Sequence, residues 1–311
     1  MYLHEDKELF KEVITNTAVW MNLTIAVVEK DYYVTMILSL LAKKVDTCVF
    51  KGGTSLSKGF HVLNRFSEDI DITFSEHIGE ARRKKLKYNV MKEISKELGV
   101  PISNWNEIES DKDYNCYTFQ YVPLDAYVEN SLSEGVKVEI ALASYSFPTE
   151  KVNIDSYVRQ YLAIDNMNLI DEFGIDLFEM NLQSISRTYI DKVFALCDYY
   201  MQGKSKRYSR HLYDLYKLKE HVIFDEEFIK LIKDVRNHRA KMKICPSAKE
   251  GVDVPALIHE FCEKEFYRQD YINITEYFVE DMVEYEQAID EIISLADSGM
   301  FESTPILKEQ S

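Results

Sequence analysis

Hydrophobic positions recur at helical spacing from Lys7 to Lys44, first Val19, Leu23, Val27 and Val28, then Val34, Leu38 and Leu41, so the chain is expected to open with helices. The period changes at "DTCVFKGG", which reads as a short buried strand over Cys48–Phe50 ending at a glycine pair. "TSLSKGFHVL" then predicts a helix capped by Thr54 or Ser55. "DIDITF" alternates and is rich in Ile, which predicts a strand, and "ARRKKLKYNVMKEISKELG" predicts a helix stopped at Gly99. "YNCYTFQYVP" and "VKVEIALAS" alternate again as strands, and Pro148 closes this region. Beyond about residue 165 the alternation fades, and helical patterns such as "RTYIDKVFALCDYYM", "SRHLYDLYKLKEH" and "EEFIKLIKDVRNHRAKM" take over. The expected class is α+β: a small mixed sheet with helices in residues 1–165, followed by a mainly α-helical domain in residues 166–311. No Gly/Ser linker, internal repeat or low-complexity stretch interrupts the chain.

Composition narrows the picture. At 311 residues, 46% apolar and 29% charged, the chain suits a soluble globular protein with a full core. Its five cysteines are scattered with no CxxC pair, so neither a zinc nor a redox site is expected, and a reducing cytoplasm is the simplest home. The start, "MYLHEDKELF", lacks the apolar core of a signal peptide, and no apolar run reaches membrane-spanning length. A formal net charge of −16 argues against non-specific nucleic-acid binding. Two basic islands, "ARRKKLK" (Ala81 to Lys87) and "GKSKRYSRH" (Gly203 to His211), are either solvated faces or local polyanion sites.

Candidate chemistry gathers in "KGGTSLSKGF" and "SEDIDITF". Gly52 and Gly53 lack Cβ atoms, so backbone there can turn sharply and approach a ligand closely. A helix starting at Thr54 or Ser55 would aim its free N–H groups at an anion. Gly52, Gly53, Thr54, Ser55 and Lys58 are thus candidate nucleotide-binding residues, with a plain strand–turn–helix corner as the competing reading. A Walker P-loop is excluded, because Lys58 follows Ser57 and precedes Gly59 rather than fitting G-x-x-x-x-G-K-[ST]. Arg65 either clamps phosphate or pairs with Glu68.

In a strand, Asp69 and Asp71 share one face while Ile70 and Ile72 face the other. Two neighbouring carboxylates repel unless a cation sits between them, and Mg²⁺ typically takes one or two carboxylates together with substrate phosphates. A D-x-D shortly after a glycine cradle therefore suggests a metal bridging a triphosphate. Glu139, alternating with Val138 and Ile140, is either a third metal ligand from a neighbouring strand or an ordinary exposed glutamate.

Four blocks in order, "VVEKDYYVTMIL" (Val27 to Leu38), "FKGGTSLSK" with "RFSEDIDI", "SRTYIDKVFAL" (Ser186 to Leu196) and "RHLYDLYKL" (Arg210 to Leu218), resemble the AbiEii/AbiGii-type toxin nucleotidyltransferases of the DNA polymerase β-like superfamily. The resemblance spans about residues 27 to 220. Asp191 stands where the family usually has Glu. It implies a nucleotidyltransferase-type sheet, Asp69 and Asp71 as metal ligands, and Lys192 and Asp214 completing the active site from the helical domain. Lys192 would stabilise charge on the leaving pyrophosphate. For Asp214 the options are metal ligation, orienting Lys192 or acting as a base, and an Arg210–Asp214 helix-face salt bridge is the plainer alternative.

The resemblance further implies an NTP substrate, Mg²⁺ or Mn²⁺, an RNA (tRNA-like) or protein hydroxyl as acceptor, and a cognate antitoxin encoded nearby. The setting would be a type IV toxin–antitoxin or phage-defence system. Arg82, Arg83, Lys84, Lys85 and Lys87, with Lys204, Lys206 and Arg207, would then guide RNA. The alternatives are a nucleotide-binding sensor without transfer activity, against which the intact Asp69, Asp71 and Lys192 argue, and an RNA-binding structural protein, which the net charge disfavours.

Overall fold

The computed structural model describes residues 1–63, 65, 67–109, 112–124, 135–275 and 281–301. The chain forms two compact units, Met1–His61 with Phe66–Gln183, and Val62–Arg65 with Ser184–Ser311.

The first unit is built on a six-stranded mixed sheet. The expected strands are present as β1 (Cys48–Lys51), β2 (Ile70–Phe74), β3 (Tyr114–Phe119) and β4 (Val136–Tyr145). Two more, β5 (Thr149–Ile154) and β6 (Phe178–Gln183), complete the order β3-β4-β2-β1-β6-β5. β1 is therefore central, antiparallel to β2 and parallel to β6. The expectation that Pro148 closes the strand region and that alternation ends near residue 165 is corrected by these two strands. β5 and β6 carry Glu, Lys, Asn and Gln, which are poor strand formers in isolation. Pairing with β1 overrides that preference, since Leu182 aligns with Phe50 and is fully buried.

Two helices precede the sheet. α1 (Lys7–Met21) is capped by Asp6, whose side chain accepts from the Leu9 amide, and buries Phe10, Val13, Ile14, Thr17 and Ala18. Val19, counted in the apolar stripe from the sequence, is 77% exposed. The helical phase resets at left-handed Asn22, and Thr24 caps the next helix, α2 (Ile25–Lys44). Every α2 residue from Val28 to Leu41 is buried, the charged Glu29, Lys30 and Asp31 included. A helix buried all round is ordinarily apolar throughout, so these three charges require partners.

After β1 comes the short α3 (Gly52–Lys58). The predicted helix before Gly99 is α4 (Glu80–Lys85), a π turn over Leu86–Met91 and α5 (Lys92–Glu97), with Gly99 left-handed as expected. α6 (Tyr157–Asp165) and α7 (Met167–Phe173) separate β5 from β6.

The second unit is helical: α8 (Ile185–Met201), α9 (Arg210–Leu218), α10 (Glu226–Arg239), α11 (Val254–Glu263), a single turn α12 (Arg268–Asp270) and α13 (Tyr285–Asp297). Ser184 caps α8 by accepting from the Arg187 amide. Arg239 of α10 donates to Asp191 (2.9 Å) and Asp198 (2.7 Å), pinning α10 to α8. Buried Asp270 holds the approach to α9, accepting from the Arg207 amide (2.8 Å), the Ser209 amide (3.2 Å) and Ser209 Oγ (2.6 Å).

Candidate active site

The glycine turn and the D-x-D strand meet because β1 and β2 are antiparallel neighbours in which Lys51 and Asp71 are register partners. Gly52, the next residue, is left-handed with φ +79°. A Cβ built on it would lie 2.9 Å from Asp71 Cγ and closer still to Oδ2, so no other residue fits without displacing that carboxylate. The positive φ falls on Gly52, the first residue of α3; Gly53 follows it in the helix.

The hydroxyls behind the glycines turn inward. The expected cap at Thr54 or Ser55 is corrected: α3 begins at Gly52 after Lys51, and both hydroxyl residues sit inside it. Thr54 Oγ1 donates to the Asp69 carbonyl (2.6 Å) and lies 2.8 Å from Ser67 Oγ, fastening the turn to the segment that carries the carboxylates. Ser55 Oγ donates back to the Gly52 carbonyl (2.9 Å). Lys58 donates to Asp31 (2.5 Å) and to the Asp155 carbonyl (2.8 Å).

Ile70 and Ile72 are fully buried, while Asp69 and Asp71 occupy the alternate, half-buried positions. β4 lies beside β2 with Glu139 opposite Asp71, so the two carboxylates share a sheet face. Neighbouring groups register the negative charge. Burial, reinforced by Glu139, Asp69 and Asp71, pushes the Cys116 thiol up to about 11. Burial and Glu139 likewise push the Tyr114 phenol well above its ordinary range. Among the described residues no group of three or more His, Cys, Asp or Glu side chains is arranged to hold a metal ion. A carboxylate pair with Glu139 alongside nevertheless fits Mg²⁺, which takes the rest of its shell from phosphates and water.

The buried charges of α2 find partners, those of Lys30 and Asp31 around this turn. Lys30 pairs with Glu68, immediately before Asp69. Asp31 takes Lys58 through Oδ1 and the Tyr157 amide through Oδ2 (2.9 Å). Both Glu29 oxygens accept from the Leu124 amide at 3.1 Å. These residues were not singled out from the sequence, although "EKD" inside an otherwise apolar helix was the available signal.

In the helical unit, Arg65 grips Asp214 with two bonds, Nε to Oδ1 and Nη2 to Oδ2, each 2.7 Å. Lys192 of α8 donates to the same Oδ2 at 2.6 Å and lies 3.3 Å from His211 Nδ1. Asp214 thus pairs with Arg65 and Lys192, and Glu68, the partner suggested for Arg65 by proximity, pairs with Lys30. Burial alone would raise the Asp214 carboxyl, but the Arg65 and Lys192 charges outweigh it and hold it far below the usual range. Burial lowers Lys192, against the pull of Asp214.

The family model for the nucleotidyl transferase AbiEii toxin of type IV toxin–antitoxin systems matches residues 38–301. The chain belongs to this AbiEii family. It is therefore a nucleotidyltransferase and a toxin of a type IV system, a family that implies an antitoxin partner and an NTP substrate. The match contains the glycine turn, the D-x-D strand and both helices of the Arg65–Asp214–Lys192 cluster, whereas Glu29, Lys30 and Asp31 precede it. No curated protein shows significant similarity to the chain. Among the described residues, no helix of this AbiEii protein is long and apolar enough to cross a membrane.

The two basic islands separate in character. In the first, Arg82 pairs with Glu76, Lys84 with Glu80, and Arg83 reaches Asp113 and the Leu142 carbonyl. Lys87 is buried on the Ile108 carbonyl. In the second, Lys204, Lys206, Arg207 and Arg210 are all exposed, as are Arg82, Lys84 and Lys85 of the first.

Proposed function

We propose that this toxin transfers a nucleotidyl group from an NTP to an RNA hydroxyl, with Asp69 and Asp71 holding Mg²⁺ and the Gly52–Gly53 turn receiving phosphate. The observation that carries the reading is the seat of Gly52 on Asp71: the backbone able to approach a phosphate and the carboxylate able to hold its counter-ion are immediate neighbours. A bound divalent cation would neutralise phosphate charge and polarise the α-phosphorus. Glu139 serves as a third carboxylate beside Asp71.

In this reading the acceptor oxygen bonds the α-phosphorus, the bond to the bridging oxygen breaks, and pyrophosphate leaves with that electron pair while the hydroxyl proton passes to water. Lys192 offsets charge developing on pyrophosphate. Asp214, already engaged by two cations, orients Lys192, and Arg65 acts by anchoring Asp214. Thr54, Ser55 and Lys58 serve by holding the turn in shape. The exposed cations of the second island favour RNA as acceptor, since phosphate contacts dominate nucleic-acid affinity; the first island is largely occupied by its own carboxylates.

Incubation with each labelled NTP, Mg²⁺ and total RNA tests the proposal. Label on RNA is the expected result. Label on protein alone would replace RNA by a protein acceptor, and retention of NTP without transfer would overturn the reading in favour of a sensor.

A further inference from the structure

A histidine outside every assigned role sits beside Lys192. His211 lies one residue into α9, and its Nδ1 is 3.3 Å from the Lys192 ammonium. An ammonium donates three hydrogens and accepts none. The Nδ1 atom must therefore present a lone pair, which places the imidazole proton on Nε2 and leaves the ring neutral. We propose that His211 is a positioning residue for Lys192, its neutral imidazole and the Asp214 carboxylate together fixing where the ammonium points. The proposal rests on the reading above in which Lys192 acts on the nucleotide.

The ring is held from several sides. Tyr199 of α8 lies parallel to it, with an interplanar angle of 1° and centroids 6.0 Å apart, and Tyr208 stacks on Tyr199 at 3.6 Å. The His211 amide donates to the Tyr208 carbonyl at 3.1 Å. Asp270 fixes the backbone just before, at Arg207 and Ser209. The charged groups acting on His211 are Lys192, Asp214, Arg210 and Arg65; burial and the cations lower its basicity, opposed by Asp214.

The chemistry explains why a neutral acceptor suits this position. A carboxylate would cancel more of the Lys192 charge, and a protonated imidazole would repel it. A neutral nitrogen orients the ammonium and leaves its charge available to an anion.

Two measurements test this. With ¹⁵N-labelled histidine, long-range proton–nitrogen NMR of the parent and of His211→Asn identifies the His211 signals. A neutral Nε2–H tautomer from pH 8 down to pH 5 is expected; titration near the ordinary histidine value, or the Nδ1–H tautomer, overturns the contact whether or not transfer occurs. In kinetics, His211→Leu should lower kcat by roughly tenfold or more with little change in KM for NTP. Loss of an acceptor for the charged lysine should also move the alkaline limb of kcat to lower pH. His211→Asn, whose amide oxygen accepts, should recover most of both. Parent-like turnover and pH profile in His211→Leu, or no recovery in His211→Asn, would sink the positioning role. A parent that transfers no nucleotide counts against the proposed function, and the NMR arm then decides the His211–Lys192 contact alone.

Discussion

Gly52 has Asp71 where a side chain would be. Because its φ is +79° and an added Cβ would press on the Asp71 carboxylate, Gly52→Ala combines backbone strain with displacement of that carboxylate. The strain costs on the order of 1–3 kcal/mol. Nucleotide transfer should fall by about a hundredfold or more, the scale of a misplaced reacting group. Turnover and calorimetric NTP binding of the variant check this; parent-like values in both would refute the cradle.

Asp71→Asn and Asp69→Asn are expected to abolish transfer while leaving the melting temperature unchanged or slightly raised. Each removes one of two neighbouring negative charges that cost free energy in the metal-free protein. Thermal melts with and without Mg²⁺ supply the second readout: the parent should gain stability from the ion together with NTP, and the variants should not.

Lys192→Ala should reduce turnover roughly a hundredfold, as for loss of one preorganised electrostatic group. Lys192→Arg should rescue it only in part, because a planar fork does not fill the place of a compact ammonium between Asp214 and His211. Single-turnover rates distinguish the two variants, and full activity of Lys192→Ala would remove the helical unit from the chemistry.

The Lys30–Glu68 pair separates stability from function. Lys30 is fully buried, so Lys30→Met strips a buried partner from Glu68 and should destabilise by about 3 kcal/mol. Adding Glu68→Leu should return much of that stability, since apolar replacements of buried pairs are often neutral. Transfer should stay low in the double variant, because the segment leading into Asp69 has lost its tether. Denaturant melts beside turnover assays decide; a stable double variant with parent-like turnover would make the pair merely structural.

Acid should weaken the fold in two stages. The folded protein resists protonation of His211 while the unfolded chain accepts a proton below about pH 6.5, so stability falls as pH drops through that value, by up to roughly 1.4 kcal/mol per pH unit. His4 and His238, also lowered mainly by burial, act in the same direction. Asp214 adds its loss below about pH 4, where the unfolded carboxyl protonates and the folded one does not. Melting temperatures from pH 7.5 to 5 should slope less steeply in His211→Asn than in the parent.

What the sequence made legible was local. The glycine pair at the end of a strand and the alternation of "DIDITF" are decided within a few residues, and β1 and β2 appear where the pattern put them. Glu139 was placed on a strand by the same alternation, and it stands opposite Asp71. Partners set by tertiary register were not legible. Thr54 reads as a cap but spends its hydroxyl on Asp69, fifteen residues on. β6 reads as no strand, because the strand it joins lies far back in the chain. Arg65 offers nearby Glu68 as the obvious partner, and spacing alone does not point to Asp214.

The Arg65–Asp214 grip spans 149 residues, which gives it a meaning in time as well as in space. At ribosomal speed that interval lasts on the order of ten seconds. For almost all of it the nascent chain carries Asp69 and Asp71 but no Asp214. Lys192 itself is made 22 residues before the carboxylate that aims it. Under the proposed roles a prematurely terminated polypeptide is harmless: the toxin arms itself only when α9 has been synthesised, and a cell that aborts translation upstream of that helix is spared its activity.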